Sequence, residues 1–118
     1  MTYQYGEKPI SLEFQGAAVA ILSSAMRYNA LPTRKMYTEN KPTFFVEFSG
    51  HTGTLHVTIY ATGWDEDKKA DYRYYVDLNA SNGTEKNVAQ ELNEILETME
   101  RVYHKWEEDE SNALSVGK

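Results

Sequence analysis

The chain has 118 residues, 41% hydrophobic and 25% charged, a length and balance that suit one domain with a real core. Its net charge of −6 and pI near 5.0 exclude a nonspecific nucleic-acid binder, which needs a basic face. The absence of cysteine excludes a disulfide framework, a thiolate metal site and a thiol nucleophile.

Residues 1–9 are mostly polar, with weak alternation at Tyr3 and Tyr5, and a loose end is expected there rather than an edge strand. No basic start or long apolar core of a secretory leader precedes Ile10, and the run from Ala17 to Leu22 is too short to span a bilayer. A soluble, cytoplasmic protein without membrane contact is the resulting expectation. Ser11 is a helix N-cap with Glu13 in the first turn. The helix should end near Asn29 or Ala30, because Pro32 disfavours helical geometry in Leu31. Phe14, Ala18, Ile21, Ala25 and Tyr28 keep helical spacing, and Val19, Leu22 and Met26 widen that stripe. Gly16 and the alanines leave room for a close neighbour, either the sheet or the same helix of a second copy.

Residues 31–42 read as a proline-bounded linker in which Arg34, Lys35 and Lys41 make a locally basic stretch. A solvated loop is the plainer reading, a small anion site the sharper one. Three runs then alternate with period two, 43–49, 54–61 and 71–78, rich in aromatic and β-branched residues. Phe44, Val46 and Phe48, then Leu55, Val57, Ile59 and Ala61, then Tyr72, Tyr74, Val76 and Leu78 form one apolar face. The Gly50-His51-Thr52-Gly53 link suits a tight hairpin, and the charged link 62–70 a longer return. After a turn at 79–83, Thr84 caps a second helix whose stripe is Val88, Leu92, Ile95, Leu96, Met99, Val102, Tyr103 and Trp106. The expected fold is α+β, in the order α-β-β-β-α: a three-stranded antiparallel meander with both helices packed on one face. Residues 1–106 make the domain, and 107–118 an acidic tail expected to be disordered.

The opposite sheet face carries Phe45, Glu47, Ser49, His56, Thr58, Tyr60, Arg73, Tyr75 and Asp77. A four-residue hairpin loop sets Glu47 opposite His56 and Phe45 opposite Thr58. Pairing Ile59 with Tyr74 would add Asp77 to the first row, Tyr75 to the second, and set Tyr60 beside Arg73; a two-residue slip dissolves both rows. Two carboxylates flanking His56 could tune a general base or hold a divalent metal, though a cross-strand polar ladder is the plainer reading. Three histidines without ligand spacing do not make a metal site, so neither metal nor cofactor is expected. Phe45, Tyr60 and Tyr75 with Arg73 form a ring-and-cation set suited to a dimer or partner-chain interface or, second, to a nucleotide-like ligand. Trp64, in the loop with Asp65, Glu66 and Asp67, is either a lid that folds onto the core or a partner anchor. That acidic triple lacks the glycine and distal Glu of a calcium loop. Glu100 and His104 are read as a surface pair.

No phosphate-binding loop, nucleophile elbow or zinc-protease helix occurs, and no motif assigns the chain to a family. In general character, short, acidic and cysteine-free, it resembles accessory proteins of phages and mobile elements. That resemblance implies action by binding: blocking a host enzyme, imitating nucleic acid or sequestering a small molecule. The leading expectation is therefore a non-catalytic binding protein, homodimeric, that inhibits or sequesters a host target. Phe45, His56, Tyr60, Trp64, Arg73 and Tyr75 are the candidate contact residues. A nucleotide-like ligand sponge on the same face is the first alternative, and a small hydrolase built on Glu47, His56 and Asp77 the second. If the target is a nucleic-acid enzyme, Glu91, Glu94, Glu97, Glu100 and the run Glu107 to Glu110 could imitate phosphate charge. An ordinary solvated helix face explains the same residues.

Overall fold

The computed structural model describes residues 9–30, 40–79 and 85–116. The expected loose N-terminal end, most of the linker with Arg34 and Lys35, and the Thr84 cap lie outside them. Five elements follow in order: α1 (Leu12–Tyr28), β1 (Thr43–Ser49), β2 (Thr54–Tyr60), β3 (Tyr72–Asp77) and α2 (Glu85–Val116). The strands pair as an antiparallel sheet in the order β1-β2-β3, so the α+β meander expected from the alternation is the fold.

α1 starts where a side-chain acceptor meets free amides: the Ser11 hydroxyl accepts from the Phe14 N–H at 3.1 Å. It ends at Asn29, whose backbone caps the last turn and whose side chain takes over β1. The Asn29 amide donates to Phe44 O at 2.7 Å, and its carbonyl oxygen accepts from Phe44 N–H at 2.9 Å. This carboxamide imitates a neighbouring strand at the open edge of the sheet, where Phe44 would otherwise leave both groups unpaired.

Both helices cover one sheet face. Phe14, Ile21, Ala25 and Tyr28 of α1 meet Phe44, Leu55, Val57, Ile59, Val76 and Leu78 of the sheet region in one core. Val88, Leu92, Ile95, Met99 and Val102 of α2 complete it. Their spacing of four, three, four and three residues is the seam of a helix packed along its length. The core holds one well-placed polar pair, the Tyr74 and Thr98 hydroxyls at 3.0 Å. Tyr28 stacks on Tyr103 at 4.4 Å and tilts against Phe44 at 5.6 Å, joining both helices to β1.

Three expectations are corrected. Val19, Leu22 and Met26 do not widen the core stripe of α1; all three are exposed. They lie on a second face of the helix, because a three-stranded sheet shared with α2 leaves only one side of α1 to cover. Phe48, on the apolar sheet face, is also exposed, although Leu55 opposite it is buried, because it stands on the outer strand at the wall of an open groove beside α1. The stretch from Glu107, expected as a disordered tail, is helical to Val116. Extending an existing helix adds a hydrogen bond per residue without a new nucleus, so it outlasts the apolar stripe. Lys105 with Asp109 at 3.3 Å supports these turns, and Asn40 donates to Glu110 at 3.1 Å. Among the described residues no helix is long and apolar enough to cross a membrane.

Candidate functional site

The outer face of the sheet takes its geometry from two turns. The hairpin closes with Ser49 opposite Thr54, and Gly53 supplies the left-handed backbone it needs, at φ +68. A side chain there would also strike the Asn79 carboxamide. Glu47 therefore faces His56, and Phe45 faces Thr58, as the loop length implies.

The second turn closes differently from expectation. Asp71 N–H donates to Ile59 O at 2.9 Å, and the Asp71 carboxylate accepts from Ala61 N–H at 2.7 Å. This clasp makes Ile59 and Tyr72 the first pair, so β3 is shifted by two residues from the expected register. The rows are Glu47–His56–Tyr75 and Phe45–Thr58–Arg73. Asp77 sits opposite Thr54, and its carboxylate accepts from Asn79 N–H at 3.1 Å. The two-carboxylate arrangement around His56 is thereby overturned, and with it the constellation on which a hydrolase was built. Tyr60 stands opposite Thr43 rather than beside Arg73.

The rings do gather. Phe45 meets Tyr60 edge-on across a diagonal, with centroids 5.7 Å apart. Trp64 swings back from the loop to lie 6.4 Å from Phe45, again edge-on. Gly63, at φ +99, starts that return. Lys68 holds the loop: its ammonium donates to Thr62 O at 3.1 Å, Gly63 O at 3.1 Å and the Thr62 hydroxyl at 2.9 Å. Trp64 thus folds onto the outer sheet face rather than the core. One row along, His56 and Tyr75 form a second edge-on pair at 4.4 Å. Of the candidate contact residues, Phe45, Tyr60 and Trp64 make one cluster and His56 with Tyr75 another. Arg73 stands exposed across Thr58 from Phe45. Phe45 is 46% exposed and Tyr75 61%, whereas Tyr60 is buried beside Phe45.

Among the described residues no three His, Asp or Glu side chains come together to hold a metal ion. His51 is exposed in the hairpin turn. His104 pairs with Glu107 at 2.9 Å, in place of the expected Glu100.

Two further concavities have lining residues that sequence reasoning did not single out as a site. A groove of about 540 Å³ runs between α1 and β1, lined by Ala18, Val19, Leu22, Val46, Phe48 and Leu55 among others. Its signal was present as the second apolar stripe of α1, which merges with the core stripe when burial is unknown. A smaller one, about 370 Å³, lies beside Trp106, Tyr72 and Arg101. There the Lys41 ammonium sits 5.6 Å from the Trp106 ring, burial lowers the Lys41 pKa, and the buried Trp106 indole N–H has no acceptor among the described residues. Comparison with protein-family models, with curated proteins and with solved structures returned no match.

Proposed function

We propose that this chain is a non-catalytic binding protein that inhibits or sequesters a target protein on the outer face of its sheet. The observation that carries this reading is the exposure of Phe45 and Tyr75 in two edge-on ring clusters with Trp64 and His56. The sheet presents Phe45, His56 and Tyr75 with Arg73 alongside, and the loop adds Trp64. Aromatic side chains and Arg dominate the energetics of interface centres: rings bury much area for little lost side-chain freedom, and Arg adds a planar fork of donors. The surrounding Glu47, Thr58 and Ser49 supply a polar rim. Affinity enrichment from the cells that make this protein tests the reading, comparing wild type with the Phe45→Ala/Tyr75→Ala variant. A protein retained by the first and released by the second is the expected result. Equal recovery by both variants contradicts it.

The row Phe45–Thr58–Arg73 supports a second reading, a nucleotide-like ligand stacked on a ring with a cation in reach. Titration with mononucleotides separates the two: saturable binding lost in Tyr75→Ala and Arg73→Ala favours the small ligand.

A further inference from the structure

We infer that α1 is the homodimer seam of this protein, pairing antiparallel with α1 of a second copy about a two-fold axis at Val19. This surface lies on the helix-covered side of the sheet and is independent of what the outer sheet face binds.

Leu12, Gln15, Val19, Leu22 and Met26 recur at spacings of three, four, three and four residues, the pattern of a helix that packs against another helix. Its apolar members are 83%, 63%, 45% and 64% exposed in chain order, so the stripe is not consumed by the core. Gln15 breaks the apolar run but spends its amide internally, donating to Ile10 O at 2.8 Å. Its alkyl stem remains to face a neighbour. Gly16 flanks the stripe, with open space where a side chain would stand.

A second copy fits better than an unrelated partner for three reasons. A two-fold axis at Val19 sets Leu12 level with the other copy's Met26, Gln15 with its Ser23, and Leu22 with its Gly16, where open space can receive the side chain. The helix carries one Glu and one Arg in a chain of net charge −6. Two acidic copies can therefore approach along α1 without like-charge repulsion, and antiparallel pairing also opposes the helix dipoles. The exposed apolar area approaches interface size. With Phe48, 52% exposed on the adjoining groove wall, these side chains expose the equivalent of about three whole residues. That is on the order of 500 Å² per copy, most of the ~800 Å² per partner of a standard interface.

The test uses the full chain and two readouts. Light scattering at micromolar concentration should give twice the 13.5 kDa chain mass for wild type. Val19→Glu/Leu22→Glu should return the monomer mass and keep a cooperative thermal melt, with a midpoint that no longer depends on chain concentration. Because the chain has no cysteine, single cysteines report geometry cleanly. Val19→Cys should cross-link to itself under mild oxidation. Leu12→Cys should not, as its two copies would lie ~21 Å apart along the pair, beyond disulfide reach. A monomeric wild type, a dimer that survives the double Glu variant, or Leu12→Cys cross-linking as fast as Val19→Cys would each overturn the inference.

Discussion

Asn29 links the end of a helix to the edge of a sheet through one carboxamide. Both of its polar ends are spent on the Phe44 backbone, so Asn29→Ala leaves an N–H and a C=O unpaired. The expected loss is about 2 kcal/mol, read as a lower urea midpoint at constant slope; an unchanged midpoint would show that water replaces the clamp at no cost. Gly53 is the second position where one residue decides a local geometry. Gly53→Ala must hold a left-handed backbone and displace Asn79, and should cost about 1–3 kcal/mol in the same assay. Tyr103 sets an alkaline limit. Burial first, and then the Glu107 carboxylate and Tyr28, raise its pKa above the usual 10.0. The folded state therefore holds the phenol proton more tightly than the unfolded chain. That contribution is complete below pH 10 and is lost as pH rises through the folded pKa. Melting temperature should fall less steeply above pH 10 in Tyr103→Phe than in wild type; parallel slopes would remove Tyr103 from the account.

The secondary elements were legible because each has a strong local cause. Ser11 and Pro32 bracket α1, period two marks the strands, and the spacing from Val88 to Val102 marks α2. The hairpin register was legible for the same reason, since a four-residue loop fixes which residues face each other. The β2–β3 register was not. A shift of two residues keeps every side chain on its face, so the apolar pattern cannot distinguish the two pairings. The decision rests on the Asp71 clasp with Ile59 and Ala61, which no periodicity reports. Likewise, Val19 and Leu22 look like core residues until the sheet is seen to be only three strands wide. α2 itself divides in two. Ile95 is fully buried, and Ile95→Ala should cost 2–5 kcal/mol, roughly, through the cavity it leaves. Glu108→Pro lies past the seam; it should reduce the helical circular-dichroism signal while moving the unfolding midpoint by less than ~1 kcal/mol. A large loss of stability in that variant would show the last turns to be part of the core unit.

At the scale of the molecule, the sheet separates two surfaces. The helices and the core lie on one side, with the apolar stripe of α1 turned away from the core. Ring clusters with polar neighbours lie on the other. We assign self-association to the stripe and target binding to the rings, because the first is uncharged and lines a groove and the second is mixed with charge. This division is the central claim, and solution mass measured by light scattering on three forms of the chain tests it most directly. Wild type and Phe45→Ala/Tyr75→Ala should both be dimers, and Val19→Glu/Leu22→Glu a monomer. A dimer lost in Phe45→Ala/Tyr75→Ala and kept in the Glu variant would contradict the account, making the aromatic sheet face the contact between copies.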